Sequence, residues 1–349
     1  MRTASFSNRA AWLAALLLGA GVAGWVGATA PAAVPAGHAR PAAKAAQNLL
    51  LAGAQAGQRL IAVGEYGHVL LSDDQGKTWR QAASVPTVTT LTAVTFVDAR
   101  NGWAVGHGGV VLGTQDAGEH WQLLAGKLDG KDVALSVWFK DTQVGVVVGA
   151  FGYASRTTDG GKSWQTLEMA PGEEGERHLN QLFKGPVVNG QASLWVAAES
   201  GLLFRSDDDG QHWTSVKLPY KGSIWGGTTL ADGAMLVWGM RGHVLRSDDQ
   251  GKTFVDLETG TDQSLGGGTA LPEAGQVVLA GLGGVVLHSR DGGRHFTASV
   301  REDRSSLSTA LPGAPGQVVL LGQAGALVQP LAAPAQAAAA ASTPASGAK

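Results

Sequence analysis

Carboxylates in this sequence come in tight runs, and such runs are what a divalent cation or an acid–base pair requires. SDDQG from Ser72, SDDDG from Ser206 and SDDQG from Ser247 each imitate the opening of a calcium loop, in which alternate acids and a glycine wrap the ion. The bidentate glutamate that closes such a loop is missing downstream, so no metal and no cofactor are expected. Histidines offer a second route to a metal. His68 and His243 occupy equivalent places in an internal repeat, with His107 three positions earlier in its own copy, and His120, His212 and His295 share another place. The first set reads as repeat ancestry and the second as solvated side chains. Serine, histidine and aspartate are all present, but no serine has the strand-to-helix setting of a nucleophile elbow.

Bulk composition narrows the classes further. Only 15% of the 349 residues are charged and the formal net charge is −2, which lacks the basic excess that nucleic acid would call for. There is no cysteine, so disulfides and thiolate metal sites are excluded. The 51 glycines point to many tight turns, because glycine enters positive φ without a steric penalty.

What positions the acidic runs is a repeat. The octets SDDQGKTW from Ser72, TQDAGEHW from Thr114, TTDGGKSW from Thr157, SDDDGQHW from Ser206, SDDQGKTF from Ser247 and SRDGGRHF from Ser289 fit S/T-x-D-x-G-x-x-W/F. Their first residues are 42, 43, 49, 41 and 42 apart, the signature of a repeat architecture. A glycine-rich turn precedes each octet, as in VGEYGHVLLS and WGMRGHVLRS, and a seventh, LGQAGALVQP from Leu321, has none after it. Short apolar runs such as LTAVTFVD and LSVWF lie upstream and are too short for helices. Each unit therefore reads strand, turn, strand, glycine turn, strand, octet, strand. Four-stranded units with two apolar faces bury them by radial stacking, so an all-β, seven-bladed β-propeller of antiparallel blades is predicted, its last blade incomplete. AGHARPAAKAA, the segment available to finish that blade, has little β-propensity.

Within the octet, the third-position carboxylate accepts the amides of a hairpin turn, the fifth-position glycine takes the positive-φ corner, and the ring folds over the hairpin. These roles fall on Asp74, Gly76 and Trp79; Asp116, Gly118 and Trp121; Asp159, Gly161 and Trp164; Asp208, Gly210 and Trp213; Asp249, Gly251 and Phe254; and Asp291, Gly293 and Phe296. The pattern resembles the Asp-box, or BNR repeat, of sialidases and of several non-enzymatic propellers. Sialidases imply an arginine triad, a Tyr/Glu nucleophile pair and a FRIP-like motif; this chain has three tyrosines and no FRIP. No catalytic residue is assigned and no enzyme is expected; the alternative is a carbohydrate-binding or sialidase-like glycoside hydrolase propeller. Trp103, Trp138, Trp195, Trp225 and Trp238 are expected to pack between blades.

Strand alternation puts the glycine turns and the interblade links on one face and the octets on the other. The turn face varies most, with Glu65, Tyr66, His107, Phe151, Glu199 and Arg241 as candidate partner-binding residues. The link PGEEGERH, expected to account for much of the 49-residue interval, is a further candidate contact. Arg156, Arg205 and Arg246 stand just before three consecutive octets and read either as a patch for carboxylates and phosphates or as partners of nearby acids and rings.

The start carries Arg2 and Arg9 and then AAWLAALLLGAGVAGWV, the secretory pattern, so residues 1–30 are expected to be a signal peptide or an N-terminal anchor. Residues 31–46 read as an Ala/Pro-rich linker, 47–331 as the propeller and 332–349 as a disordered tail. A periplasmic or otherwise exported protein is the expectation, tethered if the segment is uncleaved.

Units such as NGWAVGHGGVVLGTQDAGEHW and YASRTTDGGKSW, seven repeats and the export signal together resemble the photosystem II stability/assembly factor family, over about residues 47–331. The resemblance implies a seven-bladed propeller of the lumen or periplasm, a non-enzymatic role in assembling membrane-protein subunits, and an arginine-rich surface to which Arg156, Arg205 and Arg246 would correspond. In a non-photosynthetic bacterium the analogous role lies beside a membrane transporter. The expected partners are subunits of a membrane protein complex, with no nucleic acid and no small-molecule substrate.

Overall fold

The second strand of every unit is its most apolar run, and its burial fixes the architecture. Gly102–Gly106, Gly145–Gly149, Met235–Gly239 and Val277–Gly281 are buried at every position. A strand with no solvated face must sit inside a layered stack. The computed structural model describes residues 37–124, 128, 133–170, 177–188 and 190–331. Within them the strands form seven antiparallel sheets, each pairing in chain order. Blades 1 to 7 span residues 50–81, 91–123, 134–166, 179–217, 224–257, 265–300 and 307–330. Six have four strands and the last has three, as the sequence predicts. Among the described residues there is no α-helix, only single 3₁₀ turns.

Seven apolar clusters fill the seams between neighbouring blades. Leu311, Val319 and Leu321 of blade 7 pack on Leu50, Leu60, Ala62 and Leu70 of blade 1, which closes the ring without a shared strand. Each buried aliphatic side chain contributes about 1.5–3 kcal/mol, so a seam can hold by packing alone. Residues 37–48 reinforce the closure. The Ala39 amide donates to Val85 O, the Ala42 amide to Gln81 Oε1 and Gln81 Nε2 to Arg40 O, while Ala45 and Ala46 reach the seam between blades 7 and 1. The segment with little β-propensity thus acts as a strap rather than a fourth strand. Leu331, packed in the seam between blades 6 and 7, lies where an octet ring packs in other blades.

The 49-residue interval has a different main cause from the one expected. The first hairpin of blade 4 runs from Leu179–Val188 to Gln191–Ala198, against Ala134–Phe139 and Gly145–Gly149 in blade 3. Four of the extra residues lie in that hairpin, and the link before it supplies the smaller share. The expected leader, residues 31–36 of the linker, the tail and the first six residues of PGEEGERH lie outside the described residues. No helix of the described residues is long and apolar enough to cross a membrane.

Candidate functional site

Each octet closes on itself through hydrogen bonds. Ser72 Oγ donates to Asp74 Oδ1 at 2.9 Å and accepts the Gly76 amide at 2.8 Å. Asp74 then accepts the Thr78 amide at 2.9 Å and the Thr78 hydroxyl at 2.7 Å, and Trp79 Nε1 donates to Gly76 O at 3.1 Å. Asp159 and Asp249 repeat this with Ser163 and Thr253. The seventh residue's hydroxyl is the leading cause that holds Asp74, Asp159 and Asp249 down at about 2. Burial pushes Asp208 up, yet the amide and imidazole of His212 outweigh it and this carboxyl also lies at about 2.

The histidines at the seventh position are therefore exposed but engaged, not merely solvated. Nδ1 of His120, His212 and His295 lies 2.8, 2.5 and 2.6 Å from the carboxylate of Asp116, Asp208 and Asp291. Threonine, serine and histidine share one property, a donor at the right height. The corner also differs from expectation, since the fourth residue joins the glycine at positive φ, as in Gln75, Ala117, Asp209 and Gln250. Among the described residues no group of acids and histidines could hold a metal.

The fifth-position glycine has a second duty: it docks the hairpin on the preceding blade. A Cβ at Gly210 would lie 2.5 Å from Val146, at Gly251 2.4 Å from Trp195, and at Gly293 2.5 Å from Leu236. At Gly76 it would meet Val319 of blade 7 at 2.4 Å, so the same contact completes the ring. The fourth-position carbonyl takes a donor from the blade before. Arg59 reaches Ala117 O at 3.2 Å, Trp103 Nε1 reaches Gly160 O at 3.1 Å, Arg156 Nε reaches Asp209 O at 3.0 Å, and Arg246 Nη1 reaches Gly292 O. Arg246 is buried and pairs with Asp248, and Arg205 pairs with Asp207 while lying 5.5 Å over the Trp195 ring. The structure thus gives the three arginines intramolecular partners along the seams. Trp195 and Trp238 are fully buried and Trp103 nearly so, whereas Trp138 and Trp225 are half-buried.

The opposite face is built by the glycine turns. The first glycine is extended, and a Cβ at Gly64, Gly106 or Gly239 would meet a backbone oxygen of the inner strand's approach at 2.1 Å. The third turn residue is left-handed: φ is 58° at Tyr66, 55° at Phe151, 63° at Ser200 and 56° at Arg241. Glycine does the same work at Gly108 and Gly283, so the fold does not need a side chain here. A non-glycine residue in this region costs about 1–2 kcal/mol. Yet Tyr66 is 60% and Phe151 59% exposed, with Met240 and Leu282 exposed beside the equivalent places. His107 and Arg241 are exposed on this face, Glu65 is half-buried, and Glu199 is half-buried with its carboxylate accepting the His178 amide. Sequence reasoning missed Tyr220, whose ring stacks on His243 at 3.9 Å while His243 Nδ1 contacts Asp256 at 2.7 Å.

The geometry defines a class first: an Asp-box β-propeller whose octets brace the ring and whose turns present varied side chains. Residues 114–254 match the family model described as photosynthesis system II assembly factor YCF48, so the resemblance to that family is shown. The chain is similar in fold to a structure of YCF48 bound to D1 peptide, with 20% identity and a TM-score of 0.66 over 82% of this chain and 95% of that one. YCF48 from Cyanidioschyzon merolae matches with 18% identity and a TM-score of 0.63 over 85% and 99% of the two chains. The Niastella koreensis GH74 enzyme shares the fold at 12% identity and a TM-score of 0.62, over 84% of this chain and 53% of that one. No curated protein matches the sequence.

Proposed function

We propose that this propeller is an exported, non-enzymatic assembly factor that holds a segment of a membrane protein on its turn face. The observation that carries the reading is the display of Tyr66 and Phe151 at positive φ, where glycine would be cheaper. Strain kept in a repeated turn, at positions that pack on little, marks a surface selected for contact. The family match over residues 114–254 and the likeness to a propeller bound to a peptide support a polypeptide ligand. The third-position octet carboxylates are used within their own hairpins, which argues against a glycosidase built on them. In a photosynthetic host the partner is a photosystem subunit, and in another bacterium a transporter.

Affinity capture from crosslinked membranes tests the reading. The chain recovers a membrane protein, and a Tyr66→Gly/Phe151→Gly variant loses it while keeping its fold, since glycine suits both turns. Equal recovery by the variant, or no membrane protein above background, refutes it. Saturable binding of glycans, or turnover of chromogenic glycosides, would transfer the case to the carbohydrate alternative.

A further inference from the structure

On the octet face, the residue just before each octet decides how the seam to the next blade is filled. It is Arg156, Arg205, Arg246 and His288 in blades 3 to 6, and their side chains occupy hydrogen bonds along the seam. In blade 1 it is Leu71, and Arg59 and Arg80 fill the place by pairing with Asp73 and Glu119. In blade 2 it is Gly113, which brings no side chain. The second octet residue, an aspartate in blades 1, 4 and 5, is Gln115 here. Both halves of the usual arginine–aspartate pair are therefore missing at the seam between blades 2 and 3. A cavity of about 510 Å³ opens there, lined by Arg100, Gln115, Gln122 and Lys162 above Trp103 and Leu124.

The hydrogen-bonding capacity left on its wall is unbalanced. Asp116 is occupied by the Thr114 hydroxyl and by the amide and ring of His120. Asp159 is occupied by the Thr157 and Ser163 hydroxyls and by two amides. Gly160 O is taken by Trp103 Nε1. Arg100 Nε donates to Gln115 O, while its two terminal nitrogens, Lys162 Nζ and the Gln115 and Gln122 amides, all on exposed side chains, face solvent with no protein partner among the described residues. The charged groups left over are the cations of Arg100 and Lys162 on two blades, flanked by two glutamine amides that can donate or accept, and the carboxylates of Asp116 and Asp159 are spent. A wall of this kind is completed by a ligand that supplies oxygens and negative charge.

We propose that the seam between blades 2 and 3 is a binding site for an oxyanion, a carboxylate or a phosphate, held between Arg100 and Lys162. It lies on the face opposite the turn residues and is independent of them. Calorimetric titration at low salt with three probes, citrate, inorganic phosphate and a hexaglutamate peptide, tests it. Saturable one-to-one binding of at least one probe is expected, weakened roughly tenfold or more by Arg100→Ala/Lys162→Ala. Lys252→Ala, at the octet place equivalent to Lys162 in blade 5, leaves it unchanged. Tighter binding of hexaglutamate assigns the anion to a polypeptide, and tighter binding of citrate or phosphate assigns it to a free small molecule; both uphold the site. No saturable binding of any probe, or a Lys252→Ala effect equal to that of the double variant, overturns it.

Discussion

The two faces of this propeller are made from the same repeat and spend its residues in opposite ways. On the octet face the hydroxyl, carboxylate, amides and indole close upon one another, and the glycine seats the hairpin on the blade before it. On the turn face the same backbone recurs, yet its third residue is Tyr, Gly, Phe, Ser, Arg or Gly. Where sequence is held constant the groups are satisfied internally. Where it varies, bulky side chains stand exposed in strained backbone. The contrast separates bracing from display.

Breaking the brace gives the largest effect. Gly251→Ala places a methyl carbon 2.4 Å from the buried Trp195 ring in left-handed backbone; we expect a loss of about 3 kcal/mol in chemical denaturation, combining overpacking with the φ penalty. Ser206→Ala removes a buried hydroxyl that accepts the Gly210 amide and donates to Asp208. That change costs about 1–2 kcal/mol by the same measurement.

Acid sharpens the contrast from the same side. The octet carboxyls lie below their ordinary value of 3.8, several at about 2, so the unfolded chain takes up protons first. Their contribution is complete above pH 3.8 and falls away as pH drops from there towards 2. His68 adds a milder step. Burial lowers its pKa below 6.5, so the folded state disfavours the proton and stability declines as pH falls below 6.5. Hydrogen exchange of residues 37–48, the strap whose Arg40 carbonyl faces this ring, should quicken in that window, and His68→Asn should flatten the response. The smallest stability change belongs to the display face. Tyr66→Gly relieves a φ of 58° and should leave thermal stability level or raised by up to about 1 kcal/mol, while partner binding falls.

Six octets, together with a seventh glycine turn that lacks one, made the blade number and the three-stranded end legible, because each repeated turn keeps its local chemistry wherever it occurs. The role of Asp74 and its equivalents was readable for the same local reason. The seventh position looked heterogeneous as letters and became one role only when Thr78, Ser163 and His212 were seen donating to the same oxygen. The seam donors were not legible. Arg59, Trp103 and Arg156 occupy different places in their units and meet the same carbonyl of the next octet, a coincidence created by blade packing. The strap was hidden too, since Ala45 and Ala46 are fixed by the seam they fill and not by any strand pattern.

Site-specific photo-crosslinking in membranes tests the division of labour most directly, with the reactive group placed at Phe151 on the turn face or at Lys252 on the octet face. Adducts to a membrane protein from Phe151 and none from Lys252 are the predicted result. Adducts from Lys252 with none from Phe151 would contradict it.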